Sequence, residues 1–242
     1  MEFLSMSKLK GVGIAIVVFL FLLLALAYSG VFDIRNLTSS LGFNPNALLE
    51  RNIEFPDDFS EEARTFAAQN IKNAKEMIAA NPKNAEPWLD LAISYKTIGD
   101  LDGAILIWQY LEKEAQNPVA IQNLANTYHL DLKKYEESEQ YYLKSLALEP
   151  KNTSSYVGLH ELYRYSYKQD TTNAVDILTK GLEYVDDNGK MAIYFAFAGY
   201  YKEKLDTENA VASYEEARVI ARELGDTRIV RQIDAELVTL RR

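Results

Sequence analysis

His129 and His160 are the two histidines of this 242-residue chain, and cysteine is absent. A metal centre needs three or four ligands of the His, Cys, Asp or Glu type. Neither histidine has a carboxylate at ligand spacing, and the two together fall short of a metal site even if they meet on neighbouring helices. The missing thiols remove disulfides, thiolate chemistry and a lipidated cysteine. The chain has no G-x-S-x-G, no phosphate-cradling G-x-x-x-x-G-K and no G-x-G-x-x-G. The nucleophile elbow and the nucleotide-binding loops are therefore excluded. Paired acids such as Asp57-Asp58, Glu136-Glu137 and Glu215-Glu216 fall at helix starts, turns or exposed faces. There they read as solvated or dipole-compensating charge. No catalytic residue, metal or cofactor is expected, and the chain reads as a non-enzyme.

Charge narrows the partners. The net charge is −9, and residues 1–30 hold only Lys8, Lys10 and Glu2, which leaves −10 on the remainder. So acidic a surface, without a basic stripe carrying interleaved aromatics, repels phosphate backbones, so nucleic acid is excluded as a partner. At 48% hydrophobic residues the chain can build a core, and the remaining class is a binding or structural protein.

The elements that would carry such binding begin after an apolar N-terminus. Residues 1–10 are short and basic. Gly11 to Phe32 is free of charge, and its 22 residues span ~33 Å as a helix, enough for a ~30 Å hydrocarbon layer. Lys8 and Lys10 before it, with Asp33 and Arg35 cancelling behind it, direct the N-terminus inward and the rest outward. Ala25-Leu26-Ala27 also resembles a signal-peptidase site, so a retained anchor and a cleaved signal both stand. Either way the remainder is exported across the cytoplasmic membrane, to the periplasm or the exterior. Residues 33–58 read as a linker with a turn of helix near Ala47–Arg51.

From Ser60 onward the period is helical. Ser60 caps a helix in residues 59–82 whose apolar positions are Ala63, Phe66, Ala67, Ile71, Ala74, Met77 and Ile78. Then the pattern repeats. Trp88-x-x-Leu91-Ala92-x-x-Tyr95 is followed by Gly99, Ala104, Trp108 and Leu111. Ile121, Leu124, Ala125 and Tyr128 precede Tyr135, Ser138, Tyr142, Ser145 and Pro150. Tyr156, Leu159, His160 and Tyr163 precede Ala174, Leu178 and Gly181, and Tyr194, Phe197, Ala198 and Tyr201 precede Ala210, Tyr214 and Ala217. These copies resemble the tetratricopeptide repeat, with its W-x2-L-G-x2-Y…A-x3-F…P pattern at a period of about 34 residues.

The resemblance implies an all-α, right-handed solenoid of four helix pairs at 85–118, 119–152, 153–190 and 191–224. Residues 226–242 form a closing helix, with Ile229, Val230, Ile233, Leu237 and Leu240 on one face. Two departures from the period are visible, one extra residue near Asp131–Lys133 and about two near Tyr165–Thr172. His160 stands where the family has a small residue, which implies looser packing there.

In the family, positions 2, 5, 9 and 12 of each repeat face a concave groove. By register, position 5 gives Leu89, Gln122, Val157 and Phe195; position 9 gives Ile93, Asn126, Glu161 and Gly199; position 12 gives Lys96, His129, Arg164 and Lys202. The last column forms a cationic ladder beside an apolar strip. It suits an extended peptide with acidic residues or a free C-terminal carboxylate. The architecture resembles single-span tetratricopeptide scaffolds and chaperone-like adaptors of the envelope. A self-assembling structural module, hence a homo-oligomer, is the alternative.

Overall fold

The computed structural model describes residues 45–169 and 171–241. The chain divides into two compact units, Met1–Arg51 and Asn52–Arg242. In the first, α1 (Pro45–Leu49) is a five-residue helix opening at a proline, whose fixed φ suits a first helical turn. It lies two residues upstream of the expected turn. The apolar stretch 11–32 lies outside the described residues. Among the described residues, no helix is long and apolar enough to cross a membrane.

The second unit is helical throughout, and no strand occurs among the described residues. α2 (Glu61–Ala80) precedes four pairs: α3 (Ala85–Thr97) with α4 (Leu101–Ala115), α5 (Pro118–Asn126) with α6 (Tyr135–Leu148), α7 (Thr153–Tyr165) with α8 (Asn173–Gly181), and α9 (Asp187–Glu203) with α10 (Thr207–Glu223). α11 (Thr227–Leu240) closes the series. We call the first helix of each pair A and the second B. Each helix packs on the next in chain order, and A helix α7 also packs on A helix α9.

Short polar side chains start most of these helices. Asn84, Asp100, Asn117, Asn152, Asp186, Asp206 and Asp226 each accept a hydrogen bond from a backbone N–H of the first turn, as Ser60 does from Ala63. Such caps are worth ~1 kcal/mol each. The B helices α6 and α8 lack a side-chain cap. They are the two that come after the extra residues seen in the sequence, where the turn has lost its regular phase.

Small residues set the crossing of each pair. Ala92, Ala125 and Ala198 on A helices and Ala104, Ala174 and Ala210 on B helices are buried. Backbones can then approach closely while aromatics fill the flanking space. Trp88 and Trp108 are each 1% exposed, Tyr214 is buried, and the Trp88 indole N–H donates to the Pro82 carbonyl at 3.0 Å. On α2 the stripe Ala67, Ile71, Ala74 and Ile78 is buried, but Phe66 is 70% and Met77 50% exposed. The sequence period put these six, with Ala63, on one apolar face. Among the described residues α3 is the helix packed most extensively on α2, and it shields a narrower stripe than the apolar period suggests. At the other end Ile233 and Leu237 are buried, with Ile229, Val230 and Leu240 packed beside them.

The irregularities resolve differently. The extra residue of the second pair sits in a π-helical turn, Thr127–Asp131, upstream of the expected Asp131–Lys133. Leu132 N–H reaches Thr127 O at 3.0 Å and Lys134 N–H reaches Tyr128 O at 2.8 Å, so the helix absorbs the insertion without orphaning its backbone. Tyr128 still packs inward, stacked on Tyr141 at 5.3 Å. In the third pair α7 ends at Tyr165, and turns follow at residues 166–169 and 171–172, with Lys168 at φ 57. His160 does not loosen the packing. It is 1% exposed, its Nδ1–H donates to the Ala174 carbonyl at 2.8 Å, and its ring meets Tyr200 edge-on at 5.8 Å. The imidazole replaces an A–B methyl contact with a hydrogen bond between the helices.

Because each pair touches mainly its neighbours, damage should stay local. Trp88→Ala should cost about 3–5 kcal/mol. Native-state hydrogen exchange should accelerate in α2–α4 and remain slow in α9–α11; uniform acceleration across all helices would contradict this organisation.

Candidate functional site

An open cavity of about 350 Å³ lies on the wall made by the A helices, between α5 and α7. Gln122 and Asn126 reach it from α5, Val157 and Glu161 from α7. These are four of the residues expected from register, two helix turns from each of two consecutive repeats. Leu130, Thr153, Ser154, Gly158, Ala192 and the B-helix residue Tyr142 complete it.

Tyr142 forms the floor. Its ring passes under α7 at Gly158, where an added methyl would stand 2.5 Å from the ring. The phenol is buried and donates to Asn126 Oδ1 at 2.6 Å. Burial, followed by the negative charge of Glu161, pushes its pKa well above the usual phenol range, so it stays a donor. The carbonyl end of Asn126 is thereby engaged, and its NH2 group has no hydrogen bond among the described residues. Gln122 is held likewise: its Oε1 accepts from Asn152 Nδ2 at 3.1 Å, while Asn152 Oδ1 caps α7. Both amides that line the cavity thus have their carbonyl ends engaged within the fold. Glu161 also lines the cavity; it is exposed, and its side chain has no hydrogen bond or ion pair among the described residues.

The position-12 side chains are placed otherwise. Lys96 Nζ meets Asp131 Oδ2 at 2.6 Å and Thr127 Oγ1 at 3.3 Å. Arg164, its side chain only 10% exposed, reaches Glu203 Oε2 at 2.8 Å and donates to the Gly199 carbonyl at 2.8 Å. Its guanidinium also lies over the Tyr165 ring at 4.7 Å. Lys202 Nζ meets Glu236 at 2.8 Å. His129 is 5% exposed and bonds to Ser166 Oγ at 3.2 Å. Lys96, His129 and Arg164 reach the first helix of the following pair or the turn beyond it, and Lys202 reaches the closing helix α11. The column expected to meet a peptide carboxylate is thus engaged in joining consecutive repeats. Arg164 in turn holds the Glu203 carboxyl below its ordinary pKa.

Leu89 and Ile93 lie on α3, outside the cavity, and Ile93 is exposed. Phe195 packs edge-on against Tyr214 at 6.0 Å and belongs to the last core cluster. Ser154 and Ala192 stand at position 2 of their repeats, a register the family resemblance already marked. Leu130 escapes a linear register because the π-turn rotates the helix at this point: His129 turns inward and Leu130 turns out to the cavity. The two histidines have separate partners, and among the described residues no three His, Cys, Asp or Glu gather as a metal site.

Sequence and fold comparison agree with this architecture. Residues 119–152 match the sequence profile of the tetratricopeptide repeat. No curated protein matches the sequence. Among solved structures, MamA superposes with a TM-score of 0.51 at 19% identity, covering 72% of this chain and 99% of its own. A thermophilic TPR protein of Thermus thermophilus gives 0.53 at 16%, over 73% and 93%. PilF of Pseudomonas aeruginosa gives 0.52 at 16%, over 73% and 85%.

Charge reversal and pH each test these placements. Reversing Lys96, Arg164 and Lys202 to Glu would set a carboxylate against Asp131, Glu203 and Glu236, so the triple variant should lose several kcal/mol of stability; an unchanged urea midpoint would show that the pairs are idle. The second expectation concerns pH. His160 is held below its ordinary pKa of 6.5 by burial, with the Arg164 charge adding to it and the Ala174 bond opposing. His129 is lowered by burial and by Lys133. A depressed folded-state pKa gives stability that is complete above 6.5 and is lost as pH falls toward the folded value. The melting temperature should drop from about pH 7 downward, and His160→Gln should flatten that slope. The chain carries a tetratricopeptide repeat at residues 119–152, and its helical region has the fold of solved tetratricopeptide-repeat proteins.

Proposed function

We propose that the A-helix wall binds an extended segment of another protein, and that the chain acts as a scaffold or chaperone-like adaptor. One observation carries this reading: Gln122, Asn126, Val157 and Glu161, from two consecutive A helices, converge on one open cavity of about 350 Å³. Amide donors with their carbonyl ends already engaged suit main-chain carbonyls of a peptide, and the apolar residues between them suit its side chains. The donors are fixed before binding, which lowers the ordering cost.

The uncharged stretch 11–32, with Lys8 and Lys10 before it, further supports a single-span anchor that holds the solenoid at the outer face of the cytoplasmic membrane. Self-assembly is the second reading, favoured by Phe66 and Met77, exposed on one face of α2. It would give concentration-dependent oligomers without any partner.

A photo-crosslinking residue placed at Val157 or at Leu106, an exposed position of B helix α4, tests both parts in the native host. Position 157 should yield one discrete heterologous adduct that stays with the membrane after alkaline extraction. Position 106 should yield none. Equal labelling at both would refute a groove, self-adducts would favour assembly, and release into the alkaline wash would refute the anchor.

A further inference from the structure

We infer that the cavity between α5 and α7 selects a cationic side chain, lysine or arginine, of the bound peptide, with Glu161 as its counter-ion. This deepens the peptide-binding reading above and rests on it.

Charge accounting along the wall leads there. Lys96, Arg164 and Lys202 are each neutralised by a carboxylate of the next repeat or closing helix. His129 is buried and held neutral at pH 7. The positive charge that suggested an acidic ligand is therefore consumed within the stack. Glu161 faces the cavity exposed and, among the described residues, without a hydrogen bond or ion pair. Arg164, one turn further along α7, is turned away to Gly199 and Glu203. Tyr142, whose pKa is raised by burial and then by the Glu161 charge, forms the floor of the same cavity.

Shape and donor pattern point the same way. Asn126 and Gln122 offer N–H groups, which fix peptide carbonyls but repel an ammonium, so a cation would settle on the Glu161 side. Leu130, Val157 and Ala192 provide apolar surface on which the methylene stem of a lysine or arginine can lie while its head reaches the carboxylate. At about 350 Å³ the cavity is at the small end of ligand pockets, ~300–1,000 Å³, which suits one side chain. A metal ion is a poorer occupant, since no second carboxylate joins Glu161 here among the described residues. An acidic peptide would meet Glu161 and the −10 remainder of the chain with nothing to offset the repulsion.

The test is a selection of seven-residue random peptides displayed on phage against the full-length chain, repeated with Glu161→Lys. The wild-type chain should enrich peptides with a Lys or Arg at one position, and Glu161→Lys should enrich Asp or Glu there instead. A synthetic copy of the leading peptide should bind Glu161→Gln roughly threefold to fivefold more weakly. Glu208→Gln, the same change in net charge at an exposed site on α10, should leave its affinity unchanged. Asn126→Ala should weaken every selected peptide. If selected peptides depend on Asn126 but carry no basic residue, or ignore Glu161→Gln, the charge assignment is wrong and the groove stands. If no selected peptide depends on Asn126, or none is selected, the groove reading fails and the inference falls with it.

Discussion

The close crossing of the two helices in each pair is the constraint on which the rest of this structure depends. Ala92 with Ala104, Ala125 with Ser138, and Ala198 with Ala210 leave no side chain long enough to hold the helices apart. Ser138 even donates its hydroxyl to the Ala125 carbonyl at 2.9 Å. Helices of nine to seventeen residues are marginal in isolation. Only the stacking of pair on pair buries Trp88, Trp108, Tyr142 and Tyr156 and stabilises any of them. The third pair meets the same constraint with a larger side chain, His160, by hydrogen-bonding across the crossing rather than by shrinking.

That stacking also decides where charge is free. Side chains one repeat apart come into register, so a cation at the end of one A helix finds a carboxylate on the next. The separations Lys96–Asp131, Arg164–Glu203 and Lys202–Glu236 are 35, 39 and 34 residues. The variation tracks the insertions, which lengthen the second and third repeats. Exposed pairs contribute little individually. Arg164, nearly buried and bonded to a main-chain carbonyl as well, contributes more. Polar groups on the wall thus divide into those that join repeats and those that remain available, and the second set gathers around the Tyr142 floor.

Much of this architecture was legible in the residues. Small residues at recurring positions of successive helices, with an aromatic one turn on, specify paired helices with little ambiguity, as Ser60 does the start of α2. The acidic surface and the lack of thiols likewise needed no coordinates. What the chain concealed was rotation. A linear register treats the helix as uniform, so it placed His129 on the wall. The π-turn at Thr127–Asp131 turns it into the core and exposes Leu130 instead. Pairing was hidden too: Lys96, Arg164 and Lys202 look like an available basic column until the next repeat supplies Asp131 and Glu203 and the closing helix supplies Glu236. Tyr142 escaped because it comes from a B helix and reaches the wall only through the space that Gly158 leaves.

The widened turn at Thr127–Asp131 carries a consequence for how this array could have grown. A uniform solenoid lengthens by copying any unit, since each copy presents identical ends. Here the second pair is out of phase by one residue and the third by more. Duplicating or deleting one of them would leave its flanks mismatched.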